Sequence, residues 1–113
     1  MVIIEGTFLV VGVPIYDEDK GDHKYKDKYK FTTGLQLTVD MEEGQLYRFS
    51  VAIDDENTEG TPESIIGRAI MVIWSNAVEV TKAHFQKIKQ EKKTVEKILN
   101  EKARLWVIGY GSC

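Results

Sequence analysis

Between Pro62 and Ile88, apolar side chains recur at Ile66, Ala69, Ile70, Ile73, Trp74, Ala77, Val78, Thr81, Phe85 and Ile88, close to one residue in 3.6. That spacing predicts an amphipathic helix. Thr61-Pro62-Glu63 strengthens the reading: Thr61 is placed to cap, Pro62 suits a first helical position, and Glu63 suits the positive end of the dipole. A second segment carries Val95, Ile98 and Leu99. One helix from Pro62 to Lys102 would be about 60 Å long, too long for a chain whose radius of gyration should be about 13 Å. A break is therefore expected at Lys89-Gln90-Glu91-Lys92-Lys93, with Thr94 capping the shorter piece.

The strands are read from period two. From Tyr29 to Met41 the odd positions are mostly apolar (Tyr29, Phe31, Leu35, Leu37, Val39, Met41), and residues 46–53 repeat the device with Tyr47, Phe49, Val51 and Ile53. A hairpin around Glu42-Glu43-Gly44-Gln45 would join them, with odd positions facing odd and Gly44 or a neighbour at positive φ. Val2–Val13 is apolar on both faces, so it belongs inside the sheet. Gly6 and Gly12 are possible bulge positions there. Leu105–Tyr110 reads as a last strand. The expected architecture is α+β: an antiparallel β-meander of three strands plus a C-terminal strand, packed on one long and one shorter α-helix in the order β-β-β-α-α-β.

With 113 residues the chain is expected to form one domain, residues 1–113. Its single cysteine, Cys113, allows no internal disulfide. The longest apolar run, Ala69–Trp74, is far short of a membrane span, and Met1–Tyr16 carries Glu5 and no basic leader. A soluble cytoplasmic protein without a membrane partner is expected. No nucleophile elbow, phosphate-binding loop or Cys/His zinc spacing occurs, so neither catalysis nor a cofactor is predicted. Asp54, Asp55, Glu56 and Glu59 form a weak candidate for a divalent cation, lacking the EF-hand pattern.

An apolar surface that runs nearly all round the expected first helix would need more cover than one sheet face gives. Ile66, Ile70, Met71, Ile73, Trp74, Ala77 and Val78 are accordingly the candidate homo-oligomer interface. The net charge of −3 is unevenly spread: residues 1–63 hold 14 acidic and 6 basic side chains, and residues 64–113 hold 4 and 9. Such a division suits docking on an acidic surface or an anion. Lys24, Lys26, Lys28 and Lys30 interleave with Tyr25 and Tyr29, and Lys89, Lys92, Lys93 and Arg104 lie in the basic half. These ten are the candidate anion or nucleic-acid contacts, since cations among aromatic rings suit phosphates and stacked bases.

The function expected is that of a non-catalytic binding protein working as a homo-oligomer and engaging a protein or a small nucleotide-like anion. In size and composition the chain resembles accessory proteins of phages or mobile elements. The alternative is a single-stranded nucleic-acid-binding protein using the 20–30 arm and the basic helices.

Overall fold

The strand Ile3–Ile15 (β1) is the axis of the fold. A computed structural model describes residues 3–16, 24–32, 41–51, 60–73 and 77–112. Around β1 lie Tyr29–Phe31 (β2), Leu46–Ser50 (β3), Ser64–Ile73 (β4), the helix Lys82–Leu99 (α1) and Arg104–Ser112 (β5). The five strands form one sheet in the order β2-β3-β4-β1-β5. β1 pairs antiparallel with both β4 and β5, which explains why both of its faces are apolar: it is covered above and below and paired on each side. The pairing with β5 shifts register between Ile4 and Gly6, close to one of the two expected bulge positions.

Three expectations are corrected. Residues 64–73 are a strand and not the start of a helix. Ser-Ile-Ile-Gly-Arg-Ala-Ile-Met-Val-Ile is rich in β-branched residues and buried on both faces, a pattern that imitates a buried helix when the neighbours are unknown. The supposed cap at Thr61-Pro62-Glu63 leads into the sheet instead: the Glu63 amide donates to the Ile15 carbonyl at 2.8 Å, and the Glu63 carbonyl accepts from the Val51 amide at 3.0 Å. Second, among the described residues one helix stands where two were expected. It runs unbroken through Lys89–Lys93, and Thr94 lies inside it, its hydroxyl donating to the Gln90 carbonyl. Third, the sheet is mixed and not a meander, because β2 and β3 pair parallel, with Tyr29 opposite Leu46 and Phe31 opposite Arg48. A parallel neighbour cannot be reached by a tight hairpin. The rest of the expected Tyr29–Met41 strand, at 33–40, lies outside the described residues.

α1 is set by its ends. Thr81 caps it in a reciprocal box: its hydroxyl accepts from the His84 amide, and the His84 imidazole accepts from the Thr81 amide at 3.0 Å. At the other end Asn100 adopts the left-handed conformation at φ 53°, and its amide returns to the Glu96 carbonyl at 2.9 Å. Because β4 and β5 each run antiparallel to β1, they are parallel to one another, and α1 is the crossover between them.

The helix buries Val95 and Leu99 against Leu9, Val11, Val13, Leu46, Ile66 and Ile70, with Tyr25 and Ala103 at the margin. Each such side chain contributes about 1.5–3 kcal/mol by leaving water. Phe8, Val10, Tyr47, Phe49, Ile65, Ala69 and Ile108 form a second cluster on the opposite face of the sheet.

Candidate functional site

Two arginines lie under the helix side of the sheet, where a charge has to be satisfied. Arg68 is 7 % exposed on β4. Its guanidinium meets the Glu91 carboxylate on α1 and donates to the carbonyls of Glu42 and Gln45 at 2.9 and 2.6 Å. Glu42–Gln45 is the turn in which Gly44 takes φ 73°. Arg68 therefore ties turn, sheet and helix together. Glu43, Gly44, Arg68, Gln90, Glu91 and Thr94 line a cleft of about 370 Å³ beside it. With contacts to three segments of the chain, Arg68 has the geometry of a joint.

Arg48 is 3 % exposed on β3, directing Nε to Ser64 Oγ at 2.9 Å and Nη1 to the Tyr29 hydroxyl at 3.0 Å. Its guanidinium carbon lies over the rings of Tyr29 and Phe31, 5.5 and 5.6 Å from their centroids. The two rings meet edge to face at 5.4 Å, and Phe31 is left exposed. Period-two pairing brings Tyr29, Phe31 and Arg48 to one face, although the sequence places them 17 to 19 residues apart.

Two of the four lysines in the described part of the basic arm are paired with carboxylates. Tyr25 is buried, and Lys24 pairs with Glu101 while standing over the Tyr25 ring. Lys24 holds the Glu101 carboxyl below its ordinary range, and burial pushes the Tyr25 phenol up. Lys30 pairs with Glu42 at 3.1 Å. Lys26 and Lys28 are exposed, and Tyr29 is half-buried beneath Arg48. Lys89, Lys93 and Arg104 are exposed and Lys92 is half-buried. Of the ten candidate anion contacts, Tyr25 is buried and Lys24 and Lys30 are paired within the chain.

The candidate interface divides as well. Ile66 and Ile70 are buried in the chain's own core, Met71 and Ile73 are half-buried, and Ala77 and Val78 are exposed. Trp74 lies outside the described residues, as do Asp54, Asp55, Glu56 and Glu59. Among the described residues no group of three or more His, Cys, Asp or Glu is placed to hold a metal ion. No helix among them is long and apolar enough to cross a membrane.

Sequence reasoning missed the outer edge of the sheet. Leu105 and Val107 pair with Val11 and Leu9, on the side where α1 packs, yet they are 49 % and 67 % exposed. The helix covers β4 and β1 and stops short of β5. A strand's exposure depends on what lies beside it, and no local pattern carries that. Arg68 did leave a signal, as the single charge inside the apolar stretch from Ile65 to Trp74.

Comparison of the chain with protein-family models, with curated proteins and with solved structures gives no match.

Proposed function

We propose that the protein is a non-catalytic interaction module that works as a homodimer, two copies joined edge to edge along β5. The observation that carries this is the exposure of Leu105 and Val107 on a nine-residue edge strand, Arg-Leu-Trp-Val-Ile-Gly-Tyr-Gly-Ser, whose only charge is at its first position. Edge strands of monomers are ordinarily protected by an interior charge, a proline or a short length, because their open row of amides and carbonyls recruits another strand. β5 has none of these protections and spans about 30 Å.

A second copy suits this edge by symmetry. Antiparallel pairing of β5 with itself about a two-fold axis at Val107 sets Val107 against Val107 and Leu105 against Gly109, all on the face that α1 leaves bare. The contact then uses the same patch twice and closes. The proposed association is at β5, whereas the sequence pointed to residues 66–78, of which the chain buries Ile66 and Ile70 for itself. It leaves the Arg48–Tyr29–Phe31 edge open at both ends of a continuous sheet.

Sedimentation equilibrium tests the proposal. The expected mass is twice 12.9 kDa, falling to 12.9 kDa for Val107→Lys with an unchanged circular dichroism spectrum. A wild-type chain that stays at 12.9 kDa up to its solubility limit overturns it, and so does a dimer indifferent to Val107→Lys and to Leu105→Lys.

A further inference from the structure

α1 carries six lysines and two glutamates, and the carboxylates of both glutamates are engaged within the chain. Glu91 is bound to Arg68, and the Glu96 carboxylate accepts the Ala103 amide at 2.9 Å. Lys87 is also spent, donating to the Ile70 carbonyl at 3.2 Å. What remains outward is a line of one sign. At 100° per residue Lys82, Lys89, Lys93 and Lys97 fall within an arc of about 80°, on the side of the helix opposite Val95. All four are exposed, and among the described residues none has a carboxylate partner. Gln86 lies within the arc, and Gln90 and Glu96 lie about 20° beyond its two ends. Along the axis the lysines are spaced by about 10, 6 and 6 Å at 1.5 Å per residue. The first turn holds Lys82 and no acidic residue, so the cationic line begins where the helix dipole is already positive, an arrangement that disfavours the helix by itself.

We infer that this outward face of α1 binds the phosphate backbone of nucleic acid, independently of base sequence. A row of cations whose one bordering carboxylate, Glu96, is already engaged by the Ala103 amide complements a row of phosphates and lacks the alternating charges that select a folded protein surface. A membrane surface fits less well. A helix lying in the headgroup region inserts a continuous apolar face beside its lysines, and α1 gives Ile88, Val95, Ile98 and Leu99 to its own core, leaving Phe85 as its one exposed large apolar side chain. The site lies wholly within one chain and does not depend on dimerisation. It keeps the helical half of the alternative first read from the sequence and drops the 20–30 arm.

Fluorescence anisotropy with a labelled mixed-sequence single strand and its duplex tests the inference. Four phosphate contacts predict a log–log salt slope of about −3 to −4, a loss of about 50- to 150-fold in affinity between 50 and 200 mM salt. Lys89→Gln with Lys93→Gln should reduce the slope by about 1.5 and weaken both probes alike, since about 0.7–0.9 of slope belongs to each contact. Lys26→Gln with Lys28→Gln should change neither. Val107→Lys should leave binding per chain intact, which separates this result from the fate of the dimer. Absence of binding at 50 mM salt overturns the inference, as does loss of binding with the arm variant alone. Retention by phosphatidylserine vesicles without binding to either oligonucleotide assigns the row to a membrane and also overturns it.

Discussion

Gly12 and Gly67 face each other across the β1–β4 ladder with no room for a side chain on either. A Cβ on Gly67 would overlap the Val11 carbonyl and come within 2.6 Å of Gly12 Cα. One on Gly12 would lie 2.5 Å from the Ile66 carbonyl oxygen. Trp106 lies against the same place, its indole N–H donating to the Gly12 carbonyl at 3.1 Å. Because the obstacle is backbone, it cannot turn aside. Gly67→Ala should therefore cost about 3 kcal/mol, at the upper end for overpacking, read from the urea midpoint. Gly44→Ala is the contrast: φ is 73° but nothing lies within 4 Å, so only the left-handed penalty of about 1 kcal/mol applies. Equal costs at the two positions would mean that the close approach of β1 and β4 is not as described.

Arg68 and Glu91 are both mostly buried, so losing one partner leaves a charge in a poor environment. Glu91→Ala should cost about 3 kcal/mol, more than an exposed pair is worth. Glu91→Gln should cost less, since an amide oxygen still accepts from Nε. Chemical denaturation of both variants, with Lys30→Ala as an exposed-pair control, checks the ranking. A Glu91→Ala cost below 1 kcal/mol would show that the two carbonyls of Glu42 and Gln45 suffice for the guanidinium.

Some of this fold was legible in the residues, and the failures have definite causes. β1 was readable as an interior strand because only a doubly covered strand is apolar on both faces, and the final strand was found within two residues of its ends. β4 was misread because a register shift against Leu9 and Val10 puts Ile70 and Met71 on the same side as Ile66. That irregularity turns period two into something close to period 3.6, and the Thr-Pro-Glu sequence ahead of it looked like a cap until Ile15 and Val51 were seen to claim its backbone. The parallel pairing of β2 and β3 was unreadable in principle, since parallel and antiparallel strands alternate alike. For the site, the lysines of residues 82–104 were recognisable as a basic segment, but Lys82, Lys89, Lys93 and Lys97 share one face only when α1 is continuous. A break at Lys89–Lys93 would have put Lys82 and Lys97 on separate axes.

The Lys24–Glu101–Tyr25 contact gives the stability curve two limbs. Hydrogen bonding from Lys24 holds the Glu101 carboxyl below its ordinary 4.5, so this contribution is present above pH 4.5 and is lost as pH falls through the folded value. Burial, reinforced by the Glu101 carboxylate, raises the Tyr25 phenol above 10.0, so its contribution is complete below pH 10 and is lost as pH rises through the folded value. Thermal melts of wild type and Glu101→Gln should differ most between about pH 6 and 9 and converge in acid, where both chains carry a neutral group at 101. A difference that persists undiminished in acid would assign the effect to shape and not to charge.

Thr81 and Thr94 give opposite answers to the same substitution, and together they test where the helix begins. Thr81→Ala removes the hydroxyl that accepts the His84 amide and so breaks one half of the capping box, at a cost of about 1 kcal/mol. Thr94→Ala removes a β-branched residue from the helix interior, where its hydroxyl returns to the Gln90 carbonyl, and alanine should gain a few tenths of a kcal/mol there. Were the helix broken at Lys89–Lys93, Thr94 would be the cap and the two effects would exchange places. Urea midpoints of the two variants read the difference directly, and amide hydrogen exchange at Glu91–Thr94 supplies a second measure. A continuous helix protects those amides, while a break exposes them, and with them the premise that four lysines share one face.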